Sequence, residues 1–131
     1  MSLRLEAVDR DSVALRDLEG VAGVTVRAAD LESAPWPYMD RRFDAIVVAN
    51  YLHRPLFPHL LAALSTQGVL IYETFAVGNE RYGRPRSPDF LLQAGELLAL
   101  VRDRLRVVAY EDVYVDAPKP AMVQRICAIA P

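Results

Sequence analysis

The sequence predicts an α/β fold with a largely parallel sheet that is closed by an antiparallel hairpin. Two nearly continuous apolar runs, residues 43–49 and 68–75, are separated by a helix-length segment, a pattern typical of buried parallel strands. Near the end, residues 106–115 and 122–129 are two more apolar segments, and the connection between them is too short for a crossover helix. With 131 residues, of which 53% are hydrophobic, the chain suits a single domain, residues 1–131, that buries both faces of a sheet.

The N-terminal segments predict a strand, a helix, a second strand and a loop. Residues 3–8 alternate weakly and predict a short strand with an acidic end, and residues 24–29 predict a second strand that ends at Asp30. A helix is expected between them, capped by Asp11 or Ser12 and ended by one of the glycines at positions 20 and 23. The side chains expected to face inward are those of Val13, Ala14 and Leu18. Residues 33–39 contain two prolines and predict a loop.

The rest of the chain alternates strands with helices. After the strand at 43–49, a helix is predicted from the spacing of four leucines, with Pro58 in its first turn. These leucines are Leu56, Leu60, Leu61 and Leu64. Gly68 is expected to open the fourth strand, and residues 76–89 form a long polar connection of the kind that acts as a lid or is disordered. A last helix before the hairpin is marked by Leu97, Leu98, Val101 and Leu105.

Composition excludes several classes of function. The formal net charge of -2 arises from intermixed charges, so we expect neither nucleic-acid nor membrane binding. No apolar run reaches the roughly 18 residues of a membrane-spanning helix. The single cysteine, Cys127, excludes an internal disulfide and fits the cytoplasm, and no residue spacing indicates a metal site.

The order of these segments resembles a known family. A strand ending in an acid, a strand followed by Asp-Leu-Glu, a Phe-Asp-Ala-Ile-Val-Val strand, a Gly-Val-Leu-Ile strand and a terminal hairpin occur in this order. They resemble class I S-adenosylmethionine-dependent methyltransferases, which have a Rossmann-like sheet, and most of all the small bacterial branch similar to tellurite-resistance methyltransferases. The resemblance implies an enzyme that transfers a methyl group from S-adenosylmethionine to a small molecule.

The resemblance also implies which residues bind the cofactor. Asp9 matches the acid that holds the ribose hydroxyls, a role suited to a charged acceptor. Asp30 and the backbone of Leu31 match the group that meets the adenine, and Trp36 could cover the adenine ring. Asn50 and Tyr51 would lie near the methionine part of the cofactor.

On the acceptor side, the resemblance points to the end of the fourth strand and the loop after it. If the acceptor must lose a proton, His53 and Glu73 are the candidate bases. The lid over the acceptor would include Thr74, Arg81, Tyr82, Arg84 and Arg86.

One family feature has no counterpart in this sequence. The Gly-x-Gly-x-Gly turn of the family is absent, so we expect an N-terminally truncated fold without the first strand and helix. The strands that would flank that element must then pair directly, accept a strand from another chain or leave a gap. Because unpaired strand edges promote association, we expect a homo-oligomer, such as a dimer.

Alternatives remain open for the function and for each residue. The domain could be a non-catalytic remnant with a structural or oligomerising role, or a different nucleotide-binding α/β protein. Asp9 and Asp30 could be turn or capping acids, and Trp36 could pack on the core. His53 could be structural, and the arginines of the loop could simply be solvated.

Overall fold

The computed structural model describes residues 3–131, which belong to two compact units. The first unit extends to Pro37 and the second runs from Tyr38 to Pro131. Each has a sheet of its own: two strands in the first and four in the second.

The first unit is a parallel strand pair. β1 (Leu5–Asp9) and β2 (Val24–Ala28) are aligned residue by residue, so both carboxyl ends lie at the same edge. The helix predicted between them is wrong: turns lead into a single 3-10 turn at Arg16–Leu18. Only Leu15 of this segment is buried, so the segment lacks the packed apolar face from which a short helix gains its stability. Val13 is exposed rather than inward-facing, and so is Ala14, while Leu15 is buried.

The second unit contains a mixed sheet in the order β3-β4-β6-β5. The strands are β3 (Phe43–Ala49), β4 (Leu64–Phe75), β5 (Arg106–Val115) and β6 (Ala121–Ile129). β3 and β4 are parallel, whereas β6 is antiparallel to both β4 and β5. The predicted strand at 43–49 and the C-terminal hairpin are therefore confirmed.

Two short helices cover one face of this sheet. α1 (Phe57–Ala62) stacks Phe57 on Tyr72 of β4, with ring centroids 5.1 Å apart. α2 (Glu96–Val101) meets β6 where the Leu97 N–H donates to Oε1 of the buried Gln124. The core on this side consists mainly of Leu70, Tyr72, Leu92, Leu97, Val101, Ile126 and Ala128, all buried.

The opposite face of the sheet is exposed to solvent at its apolar centre. Val47 of β3 lies beside Ile71 of β4, and the two side chains are 67% and 46% exposed. The expectation that both faces of the sheet are buried is therefore wrong for this part of the protein. Parallel strands with this apolar pattern normally have both faces covered.

The junction between α1 and β4 differs from the prediction. Leu64 belongs to the strand, where it pairs with Phe43, because the helix ends at Ala62. The strand therefore begins before Gly68, and a register shift follows this first pair. A Cβ at Gly68 would lie 2.8 Å from the Ser65 carbonyl oxygen and 3.1 Å from that of Phe43. Glycine is required here because two backbone segments approach it closely.

This geometry predicts that Gly68→Ala destabilises the protein by about 3 kcal/mol, since the backbone must move to admit the methyl group. Gly95→Ala is the control, because Gly95 has φ +72° and no heavy atom lies within 4 Å of the position that a Cβ would occupy. The control should cost about 1 kcal/mol, the penalty of a left-handed alanine. Urea unfolding compares the two variants. Equal losses of unfolding free energy in the two variants would refute the packing role of Gly68.

Candidate functional site

The carboxyl edge of β3 and β4 carries the polar residues that the sequence singled out. Asn50 follows β3 with φ 55°, a left-handed conformation that is uncommon outside glycine, and its N–H donates to the Glu73 carbonyl oxygen at 2.9 Å. Thr74, the next residue of β4, is buried. Backbone outliers of this kind concentrate at functional sites.

Tyr51 is fixed through its backbone. The buried Tyr72 donates its hydroxyl to the Tyr51 carbonyl oxygen at 2.5 Å. Burial raises the pKa of Tyr72 above its usual range, so the hydroxyl remains a donor. The turn after β3 is thus tied to the middle of β4. The sequence indicated Tyr51 but not the role of Tyr72.

An ion pair holds the next part of the same segment. Arg54 donates from Nε and Nη2 to the two carboxylate oxygens of Glu96, at 2.6 and 2.9 Å. The same guanidinium donates to the carbonyl oxygens of Asp89 and Leu91. Chiefly because of its hydrogen bonds from Arg54, Glu96 has a lowered pKa. Arg54 therefore connects the segment after β3 to the end of the long loop.

The two candidate bases have different surroundings. His53 is half-buried and directly precedes the 3-10 turn Arg54–Leu56. Glu73 lies 3.2 Å from Arg125 Nε in an ion pair that lacks the alignment of a hydrogen bond. Arg125 also faces Glu111, at 3.6 Å. A base at Glu73 would act beside this cation.

The loop at residues 76–89 is folded and anchored. Asn79 is buried, donates to the Pro85 carbonyl oxygen and accepts from the Met122 N–H. Tyr82 packs on Tyr114 of the hairpin, with ring centroids 5.2 Å apart. The arginines at 81, 84 and 86 are exposed. The loop therefore holds an aromatic ring and three arginines at the surface, and Asn79 anchors it to the rest of the protein.

In the first unit, Asp9 and Asp30 lie at the carboxyl edge of the strand pair. Asp9 accepts a hydrogen bond from the Asp11 N–H through Oδ1. Asp30 accepts from the Glu32 and Ser33 N–H groups through Oδ1 and from the Ser33 hydroxyl through Oδ2. The bond from Ser33 and those from the backbone lower the pKa of Asp30. Both acids thus stabilise turns. Leu31 and Trp36, which follow Asp30, are half-buried.

Metal sites and membrane spans are both absent from the described part of the chain. Within positions 3–131, no cluster of three metal-ligating side chains occurs. None of the helices in this range has the length and hydrophobicity needed to cross a bilayer.

A pocket lies at the opposite end of the second sheet from the polar edge. It is lined by Arg102, Arg104, Arg106 and their neighbours, and none of the predicted site residues lines it.

Comparison with known proteins identifies the fold. No family model matches the sequence, and no curated protein matches it. Among solved structures, the N-methyltransferase NodS from Bradyrhizobium japonicum is 16% identical, with a TM-score of 0.72 over 98% of this chain and 74% of NodS. A second NodS structure contains S-adenosyl-l-homocysteine.

TehB from Haemophilus influenzae is 11% identical, with a TM-score of 0.79 over 98% of this chain and 50% of TehB. The chain thus spans half the length of TehB. The [4+2]-cyclase SpnF is 15% identical, with a TM-score of 0.68 over 98% of this chain and 66% of SpnF.

These likenesses show that the chain has the class I methyltransferase fold. The identities are too low to assign an activity, and SpnF is named for a cyclisation rather than a methyl transfer. The function of this chain therefore depends on the residues at the sheet edges and not on the fold alone.

Because the pKa of Glu96 is lowered, its pair with Arg54 stabilises the fold fully at pH values above 4.5, the ordinary pKa of a glutamate. This stabilisation is lost as the pH falls through the pKa that Glu96 has in the folded protein. Glu96→Gln should lower the free energy of unfolding by about 1 kcal/mol at neutral pH, a modest value because the arginine is partly solvated. The difference in unfolding free energy between Glu96→Gln and the wild type should shrink below about pH 4.

Urea unfolding across pH measures this difference. The control is Glu111→Gln, which removes a longer and more exposed pair with Arg125 and should change stability little. A loss for Glu96→Gln that does not vary with pH would contradict the ion-pair explanation.

Proposed function

We propose that the protein is an S-adenosylmethionine-dependent methyltransferase of the tellurite-resistance-like branch, acting on a small molecule in the cytoplasm. The observation that carries this proposal is the left-handed Asn50 at the carboxyl edge of β3, next to the end of β4 in a methyltransferase fold. Ligands of open α/β sheets bind outside the carboxyl ends of the strands. The single cysteine supports the cytoplasmic location.

In the first unit, the carboxylates of Asp9 and Asp30 suit the nucleoside part of the cofactor to different degrees. Asp9 uses only Oδ1 within residues 3–131, so Oδ2 can accept a ribose hydroxyl. Asp30 would have to exchange its bond from Ser33 for one from the adenine amino group. Leu31 offers its backbone beside Asp30, and Trp36 offers a ring surface.

In the second unit, Asn50 and Tyr51 would hold the methionine part. S-adenosylmethionine, when bound, supplies an activated methyl group, so the protein mainly has to align donor and acceptor and exclude water. The backbone bonds to Asn50 and Tyr51 fix the turn that would perform this alignment. His53 and Glu73 are the groups that could accept a proton from the methyl acceptor.

The acceptor would lie under the loop at residues 76–89. Tyr82 offers an aromatic face supported by Tyr114, and the exposed Arg81, Arg84 and Arg86 favour an acceptor with negative charge. Thr74 is buried at the end of β4 and would shape the base of this site.

A second candidate is a non-catalytic domain with a structural or oligomerising role. The observation in its favour is that both carboxylates of the first unit already accept bonds from their own turns. Binding of the cofactor separates the two candidates, since only the first requires it.

Calorimetric titration with S-adenosylmethionine and S-adenosyl-l-homocysteine tests the proposal. The methyltransferase candidate predicts saturable binding, with stabilisation of about 2.7 kcal/mol when the free ligand is a hundredfold above Kd. Asp9→Asn should weaken binding, whereas Asp112→Asn, a change at the exposed surface of β5, should not. Absence of heat and of thermal stabilisation at about millimolar ligand would leave the non-catalytic candidate.

Substitutions of Asn50 distinguish the role of its side chain from the role of its backbone conformation. Asn50→Gly keeps the left-handed turn without strain, so stability should be unchanged while cofactor binding weakens through loss of the amide. Asn50→Ala should also cost about 1 kcal/mol of stability. Thermal unfolding and calorimetry measure both effects. Full binding by Asn50→Gly would show that only the backbone of Asn50 matters.

A further inference from the structure

The long loop after β4 is closed at its base by its own backbone. The Val77 N–H donates to the Leu92 carbonyl oxygen at 2.9 Å, and the Leu92 N–H donates to that of Phe75 at 3.0 Å. Leu92 is fully buried. The two ends of the loop are therefore fixed next to each other, and residues 78–90 extend from this base as a compact surface loop.

The first half of this loop is anchored to the sheet by Asn79. The Asn79 carbonyl oxygen accepts hydrogen bonds from the N–H groups of Tyr82 and Gly83. Its buried side chain donates to the Pro85 carbonyl oxygen and accepts from the Met122 N–H of β6. This half of the loop is therefore held by a residue of its own.

The second half of the loop, residues 86–90, is held differently, and we call it the flap. Its internal bonds form a turn in which the N–H groups of Asp89 and Phe90 donate to Ser87. Across the described range 3–131, Arg54 is the one residue outside the loop that forms a hydrogen bond with the flap, from Nη1 to the Asp89 carbonyl oxygen at 3.2 Å. The attachment of the flap by hydrogen bonds thus depends on a single side chain.

Arg54 is itself fixed by Glu96. Its Nε and Nη2 donate to the two carboxylate oxygens, and Nη2 also donates to the Leu91 carbonyl oxygen directly after the flap. Together with the bond from Nη1, four of the five N–H groups of the guanidinium are used. Glu96 Oε1 also accepts from the Gln93 N–H, which orients the carboxylate. This fork geometry is one that a lysine cannot reproduce.

We propose that Arg54 is the latch of the flap: its planar guanidinium, oriented by Glu96, holds residues 86–90 against the segment 50–56 that follows β3. Release of the latch opens the flap while the first half of the loop stays on the sheet. Local opening of this kind is expected of a surface segment with few attachments.

The latch joins the flap to the candidate site, because His53 directly precedes Arg54 in the same segment. In the methyltransferase proposed above, opening of the flap gives a small-molecule acceptor a way into the site. That consequence rests on the proposed function, whereas the latch itself is a property of the free protein.

Hydrogen exchange of the free protein, resolved at single amides, tests the latch. In Arg54→Gln and in Arg54→Lys, the amides of Asp89 and Phe90 should exchange at least about tenfold faster than in wild type, because hydrogen bonds from a charged donor are lost. The amides of Tyr82 and Gly83 should exchange as in wild type. Circular dichroism verifies that the variants are folded.

Arg125→Gln is the matched control. The side chain of Arg125 is 39% exposed, against 36% for Arg54, and it forms ion pairs with Glu73 and Glu111 on the sheet. In the part of the chain that the structure describes, none of its ion pairs reaches the loop. This substitution should leave the exchange of the flap unchanged.

Trypsin gives a second measurement of flap opening. The peptide bond after Arg86 lies in the flap, the bond after Arg81 lies in the first half of the loop, and the Arg84–Pro85 bond resists trypsin because of the proline. Arg54→Gln should accelerate cleavage after Arg86 at least about tenfold and change cleavage after Arg81 little.

Any of three results would overturn the proposal: flap amides that exchange in Arg54→Gln as in wild type, equal acceleration in Arg125→Gln, or wild-type exchange in Arg54→Lys. The last result would show that a positive charge beside Glu96 suffices without the fork. Failure of S-adenosylmethionine to bind would instead refute the proposed function and would leave the exchange results of the free protein unchanged.

Discussion

The parallel pairing of β3 with β4 is the interaction on which the rest of the second unit depends. α1 and α2 cover one face of the sheet that the two strands share, and on the other face Val47 and Ile71 form an exposed apolar pair. The pairing brings the end of β3 beside the end of β4, at the same edge of the sheet.

β3 ends at the candidate site, and three interactions fix the segment after it. The Asn50 N–H bonds to the end of β4, Tyr72 holds the Tyr51 carbonyl, and Arg54 joins Glu96. The long loop is held at its base by a buried asparagine that bonds to the backbone of β6. The edge of the sheet is therefore preorganised before any ligand binds, as alignment of a methyl donor with an acceptor requires. The fold is compatible with this chemistry but does not by itself specify it.

Much of the architecture could be predicted from the sequence, whereas the support of the site could not. Continuous apolar runs identified β3 and the hairpin, and the end of β3 located Asn50, because strand periodicity is strong there. The predicted helix before β2 did not form because only Leu15 of that segment is buried, whereas the equally short α1 and α2 each pack apolar side chains into the core. Leu64 fitted the spacing of a helix, but its pairing with Phe43 placed it in β4. Arg54 and Glu96 are 42 positions apart and belong to no motif, so only the fold reveals their pair.

The claim that the edge of the sheet is organised before any ligand binds is tested most directly by amide hydrogen exchange of the free protein. Because the Asn50 N–H donates to the Glu73 carbonyl oxygen, it should exchange as slowly as the amides of Ile46 and Val48, which face β4. Fast exchange of the Asn50 amide beside slow exchange of the other two would show a mobile turn and contradict this account.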